Sequence, residues 1–159
     1  MNVIFLDVDG VLNCRSTKER CNGYLGIDDD KVRRLRQIVD ATGAAIVLSS
    51  TWKDNWERKR KELQDELANY LDQKLKNEGM EILDKTEDEY WDRGAGILKW
   101  IDTHSVDSFV ILDDIQFDYE ELGLLDRFVE TSVGASNGGL QEDHVKRAIE
   151  ILEKGKTSQ

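Results

Sequence analysis

The chain has 159 residues, a net charge of −11, and 39% hydrophobic against 35% charged residues, which describes one highly charged globular domain long enough for a proper core. The negative balance disfavours a broad nucleic-acid-binding surface, whose affinity rests on neutralising phosphates, but it leaves room for a site that engages one phosphate beside a bound cation. No apolar stretch reaches the length of a membrane span.

Val3-Ile4-Phe5-Leu6 is apolar without alternation, the pattern of a strand buried on both faces of a parallel sheet. It stops at Asp7-Val8-Asp9-Gly10-Val11-Leu12-Asn13, where two carboxylates are followed by a glycine that lets the chain turn away. Buried carboxylates are costly unless paired or metal-bound. At the C-terminal end of a central strand they open into the crevice where α/β sheets bind ligands, and there they can hold a hard cation such as Mg²⁺. No basic region precedes this apolar run and Asp7 and Asp9 interrupt it, so it does not read as a signal peptide. A cytoplasmic location is expected, with delivery elsewhere as an effector left open.

Residues 14–27 are polar and read as a loop or short flap. Cys14 and Cys21 fall here; without a signal sequence they are expected to be reduced, and they lack zinc-like spacing. Asp28-Asp29-Asp30 opens a helix carrying Val32, Leu35, Ile38 and Val39 on one face and Gly43 at its end. Ala44 to Leu48 is a second buried strand, ending in Ser49-Ser50-Thr51. A hydroxyl at a strand's end can donate to a phosphoryl oxygen or cap the next turn, and the spacing does not choose between Ser49 and Ser50. The apolar steps from Trp52 to Leu75 predict one long amphipathic helix to about Lys76. Its basic run, Arg58 to Lys61, reads as a solvated face, with recruitment of a polyanion as the lesser alternative. Lys53, nearer the serines, reads as an exposed helix position, with contact to a substrate phosphate as its alternative.

Met80 to Leu83 reads as a short third strand, followed by an acidic loop from Asp84 to Trp91. Arg93 precedes a glycine and a helix face of Ile97, Trp100 and Ile101; Lys99, the competing cation, falls mid-helix. A guanidinium suits bidentate contact with phosphate. Phe109 to Leu112 is a fourth buried strand tipped by Asp113-Asp114, adjacent acids whose repulsion a divalent cation relieves. Asp113 is the better ligand; Asp114 ligates or sits behind it, and Asp118 reads equally well as a surface turn. Arg127 to Thr131 is a fifth strand, Ser136 to Gly139 a turn, and Leu140 to Leu152 a final helix. The expected domain covers 1–155, with a frayed tail at 156–159. His104 and His144 read as helix-end or surface residues.

Five strands alternating with helices imply a three-layer α/β domain. The stretches Phe5-Leu6-Asp7-Val8-Asp9-Gly10-Val11-Leu12-Asn13, Leu48-Ser49-Ser50-Thr51-Trp52, Arg93-Gly94 before Ile97, Ile111-Leu112-Asp113-Asp114, Phe128-Val129 with Thr131, and Gly139-Leu140 resemble the haloacid dehalogenase-like (HAD) superfamily, in particular the HAD domains of RNA-repair and phage-associated proteins. The resemblance implies a Rossmannoid fold with a mainly parallel sheet of order 3-2-1-4-5 and helices on both faces. It implies an Mg²⁺-dependent phosphatase in which Asp7 is the nucleophile and Asp9 the general acid/base. Asp7, Asp113, Asp114 and Asp9, the last through its backbone carbonyl, would hold the cation, and Ser49 or Ser50 with Arg93 would hold the phosphate. An Asp at the second position favours phosphatase over dehalogenase chemistry in that family. Of the family's two insertion points for a cap, the first holds only a short flap and the second a long helix and short strand that the core itself largely uses, which implies a capless, open site for a macromolecular phosphate, on a nucleic-acid 3′ end or a phosphoprotein. The alternative is a non-catalytic metal- or anion-binding, docking or effector module on the same scaffold.

Overall fold

A computed structural model describes residues 1–89, 91–134 and 137–157, the last three by backbone alone. Among these residues seven strands and four α-helices follow in the order β1 (Asn2–Leu6), β2 (Arg20–Cys21), β3 (Tyr24–Leu25), α1 (Asp29–Thr42), β4 (Ala45–Leu48), α2 (Glu66–Lys76), β5 (Ile82–Lys85), α3 (Arg93–Asp102), β6 (Ser108–Asp113), β7 (Phe128–Glu130) and α4 (Glu142–Thr157). The main sheet runs β5-β4-β1-β6-β7 with every pair parallel, which is the expected 3-2-1-4-5 order once the β2–β3 hairpin is set aside.

The unbroken apolar run of β1 is explained by a covered layer on each side. Ile4 and Leu6 pack with Val32, Leu35 and Ile38 of α1, Leu71 and Leu75 of α2, and Val145 and Ala148 of α4. Val3 and Phe5 face the other way, onto Ile97 and Trp100 of α3 with Tyr119 and Leu124. Register then decides which residues meet. Leu6 lies opposite both Leu48 of β4 and Leu112 of β6. The next residue on each strand is Asp7, Ser49 or Asp113, so one row across three adjacent strands carries them all. The Asp7 N–H donates to the Leu112 carbonyl at 2.9 Å and the Ser49 N–H to the Leu6 carbonyl at 2.9 Å, which pins the row.

Several local expectations need correction. The single helix expected from Trp52 to Lys76 is broken into a 3₁₀ turn at Thr51–Asn55, another at Lys61–Leu63, and α2. Trp52 and Trp56 are buried as expected, but the chain turns extended at Trp56, and Leu63 of the presumed stripe is exposed. Asp65 restarts the helix by accepting the Ala68 N–H at 2.8 Å, and the four consecutive cations before it offer no apolar face to pack. Residues 14–27 include a two-stranded hairpin, turned at Asn22-Gly23 with positive φ at both positions. The third strand lies two residues later than expected, and α4 runs on through Gly155 to Thr157. Of the expected turn and tail, Ser136, Ser158 and Gln159 lie outside the described residues. Cys14 and Cys21 are free thiols. Among the described residues no helix is long and apolar enough to cross a membrane.

Side chains of α2 tie the hairpin to the body. The Tyr70 hydroxyl donates to Glu19 Oε1 at 2.6 Å and accepts the Ile27 N–H at 3.0 Å, while Lys74 pairs with Glu19 at 2.8 Å. Burial, then the bond to Glu19, pushes the Tyr70 phenol up to about 12, so it remains a donor at neutral pH. Tyr70→Phe is expected to cost about 1 kcal/mol in urea unfolding and to speed amide exchange at Ile27. Unchanged exchange there would show that the hydroxyl does not hold the hairpin.

Candidate active site

Asp7 leaves β1 into a buried position at the C-terminal edge of the sheet. Asp113, fully buried, ends β6 beside it, and Asp114 follows half-buried. One carboxylate oxygen from each of the three lies within 4.8 Å of the others. Arg93 is the counter-charge: its Nη1 donates to Asp113 Oδ2 at 2.8 Å and stands 3.3 Å from Asp7 Oδ1. Three carboxylates against one guanidinium leave two formal negative charges in a buried space. Burial first, and then Asp113, holds the Asp7 carboxyl well above the ordinary carboxylate range despite the pull of Arg93. Burial likewise raises Asp114. A hard divalent cation matches the oxygen donor set and the charge deficit, so the residues present fit Mg²⁺.

Arg93 is delivered by the first turn of α3, and that turn is fixed from outside the helix. Asp118 accepts the N–H groups of Gly94 at 2.6 Å and Ala95 at 3.1 Å, so it caps α3 and is not a member of the carboxylate cluster. The guanidinium also lies over the Phe117 ring, 4.2 Å from its centroid. Asp113 is held by two further donors, the Tyr119 hydroxyl at 2.8 Å and the Ile115 N–H at 3.1 Å. Lys99 is exposed on α3, whereas Arg93 is buried among the carboxylates.

The two serines differ in hydrogen bonding. Ser50 Oγ accepts the Trp52 N–H at 3.1 Å and caps the 3₁₀ turn. Ser49 Oγ is buried with no hydrogen-bond partner, one of two such side-chain atoms among the described residues. It lines a cavity of about 130 Å³ with Thr51, Lys53, Asp54, Asp88 and Arg93. A buried hydroxyl without a partner is costly unless something else occupies the space beside it. Lys53, expected on an exposed helix face, is buried instead: it pairs with Asp88 and donates to Thr86 Oγ1 at 3.1 Å. Burial lowers its pKa, and that pair ties the turn after β4 to the loop after β5.

Asp9 stands apart from the three clustered carboxylates. It is exposed, and its two oxygens accept from Asn13 Nδ2 at 3.0 Å and Trp52 Nε1 at 3.2 Å. Its side chain is therefore presented to incoming molecules while Asp7 stays beneath. Asn13 also accepts the Gly10 N–H at 2.9 Å, and Thr131 Oγ1 donates to the Gly10 carbonyl at 2.6 Å, fixing the turn between the two acids and the next helix. Asn13, Trp52, Tyr119 and Asp88 carry these supports without having been singled out for them from sequence; Asn13 and Trp52 sat inside recognised stretches, but nothing in spacing marked their partners.

The remaining candidates lie elsewhere. Arg58 and Lys61 line a hollow with Asp72, Lys76, Met80 and Glu81, and none of the site residues lines it. His104 stacks on Trp100 at the end of α3, and His144 Nδ1 accepts the Gln141 N–H beside the start of α4. Gly10 has φ +83° and its missing Cβ would fall on the Asp114 carboxyl. Gly10→Ala is expected to lower folding stability by about 1–2 kcal/mol from the left-handed backbone alone and to push Asp114 out of the cluster. A denaturation midpoint equal to the wild type would contradict that placement.

A family model described as the HAD domain in Swiss Army Knife RNA repair proteins matches residues 3–145. Neither the curated proteins nor the solved structures contain a match to the chain. The family match spans the acid-tipped ends of β1 and β6, the serines after β4 and the arginine that opens α3; it leaves out Met1, Asn2 and residues 146–159. With these elements placed in a parallel five-stranded sheet, the chain belongs to the HAD domain family of Swiss Army Knife RNA repair proteins.

Proposed function

We propose that the chain is an Mg²⁺-dependent phosphomonoester hydrolase that works through an aspartyl-phosphate on Asp7. The observation that carries this reading is the row formed by Asp7, Asp113 and the unpartnered Ser49 hydroxyl, with Arg93 bonded across it. The HAD family supplies a phosphatase-type scaffold for the same residues. Mg²⁺, held by the carboxylates of Asp7, Asp113 and Asp114 with the backbone carbonyl of Asp9 carried over from the family pattern, would supply charge neutralisation between nucleophile and phosphate.

The chain's own residues divide the remaining work. A carboxylate oxygen of Asp7 attacks phosphorus, and the bond to the leaving oxygen breaks. Asp9, oriented by Asn13 and Trp52, gives its proton to that oxygen. In the second half-reaction Asp9 takes a proton from water, the water oxygen attacks phosphorus, and Asp7 is released. Ser49 and Arg93 donate to the nonbridging oxygens and favour the charge of the transition state. Tyr119 and the Ile115 N–H keep Asp113 in place without touching substrate.

The substrate is an accessible phosphate on a macromolecule, a nucleic-acid 3′-phosphate or a phosphoprotein. The segments between β1 and α1 and between β4 and β5 hold only a small hairpin, two 3₁₀ turns and α2, which supports an open site without a large cap. The RNA repair named for the family favours the nucleic-acid end.

Turnover of p-nitrophenyl phosphate with Mg²⁺ is the direct assay. Asp7→Asn is expected to lower kcat by at least about a thousandfold while the circular dichroism spectrum is kept, and chelation by EDTA is expected to abolish turnover. Full activity in Asp7→Asn would rule out the aspartyl-phosphate, and a soundly folded wild type without activity on any phosphomonoester would favour a binding or docking module.

The serines separate in the same assay. Ser49→Ala is expected to cut kcat/KM by about a hundredfold. Ser50→Ala is expected to change it less than threefold, while costing about 1 kcal/mol of stability through the lost cap. The reverse ranking would move the phosphate contact to Ser50.

A further inference from the structure

One feature beside the site is not used by the chemistry above. Trp91 is 66% exposed, an unusual position for so large an aromatic side chain. It lies on the loop that leads into α3, two residues before Arg93. Its indole lies 6.0 Å from the Phe117 ring, centroid to centroid. Phe117 is in turn the ring beneath the Arg93 guanidinium, at 4.2 Å. Phe117 has φ +48°, a strained conformation for a non-glycine residue that is concentrated at functional sites. Packing against Tyr119, 6.2 Å away, and Arg93 keeps it there. Two short steps therefore lead from the Asp7–Arg93 pair to an exposed aromatic face, which is the scale of a single nucleoside.

We propose that Trp91, backed by Phe117, is a stacking platform for the terminal base of a phosphorylated nucleic-acid end, with Arg93 joining the platform to the phosphate site. The proposal rests on the phosphatase reading for the position of the phosphate. Every base presents a π face, so an aromatic platform takes a terminal base of any sequence. A phosphoserine or phosphothreonine side chain has no such group to place there. The charge around the platform limits the footprint. Glu87, Glu89 and Asp92 are exposed within four residues of Trp91 along the chain, and Glu120 and Glu121 within four residues of Phe117. Carboxylates so placed repel further backbone phosphates, so the platform reads the last nucleotide and little beyond it.

The test compares a 3′-phosphorylated dinucleotide with the same molecule lacking its terminal base. The wild type is expected to prefer the base-bearing substrate by about tenfold in kcat/KM, through KM, as one stacked base provides. Trp91→Ala is expected to bring that ratio to about one, and Trp91→Phe to restore most of it. Lengthening the oligonucleotide from two to eight residues is expected to change kcat/KM less than about threefold, with a shallow salt dependence. The same ratio is measured by calorimetric binding to the Asp7→Asn protein. If base-dependent binding persists there while the wild type hydrolyses nothing, the platform stands and the phosphatase reading falls. A ratio of one in the wild type, a ratio unchanged in Trp91→Ala, or a preference for a phosphoserine peptide over both nucleotides would overturn the platform.

Discussion

Three carboxyl groups crowded against one guanidinium at the ends of β1 and β6 constrain the rest of the molecule. Asp7, Asp113 and Asp114 are brought together by sheet register and share one guanidinium. Such a cluster is unstable by itself, and the surrounding structure is arranged to hold it in place. Tyr119 and the Ile115 N–H donate to Asp113, Asp118 fixes the helix turn that carries Arg93, and Gly10 leaves the room that Asp114 fills. Structural ion pairs in a core are usually balanced or replaced by apolar packing. A cluster left short of positive charge, at the ligand-binding edge of a parallel sheet, fits a hard cation.

Around that cluster the two acids of the opening stretch are separated by environment. Asp7 is buried beside like charges, whereas Asp9 is exposed and oriented by neutral donors. In the proposed mechanism these environments would divide the work, with Asp7 forming the bond and Asp9 transferring the proton. Asp7 owes its position to the ladder bond its N–H makes to Leu112, and Asp9 to the turn held by Asn13 and Thr131. The aromatic run from Tyr119 through Phe117 to Trp91 extends outward from the same arginine, linking the buried charge cluster to the surface.

The sequence made the sheet and its acid-tipped strands legible because buried parallel strands are unbroken apolar runs, and a carboxylate at such a run's end has few other uses. Asp7 and Asp113 could be read from those run ends together with the family resemblance, and Arg93 from its place before a glycine and an apolar helix face together with the same resemblance. The break between Trp52 and α2 could not, because buried tryptophans at helical spacing look alike whether a helix or two short turns presents them. The Asn22-Gly23 hairpin turn was readable from composition, but its flanking strands are only two residues each and carry no alternation. The difference between Ser49 and Ser50 was not legible in the sequence, since it lies in which hydroxyl already has a partner. Lys53 was read as exposed because its partners, Thr86 and Asp88, come from a loop distant in sequence.

The central claim is that one cation between the tips of β1 and β6 serves a phosphoryl group carried by Asp7. A crystal structure of the protein with Mg²⁺ and beryllofluoride, a mimic of the bound phosphoryl group, tests it most directly. The account predicts one octahedral ion shared by Asp7 and the Asp113-Asp114 pair, with beryllofluoride bonded to an Asp7 oxygen and in contact with Ser49 and Arg93. An ion bound elsewhere, or an Asp7 left unmodified with the mimic on another residue, would contradict it.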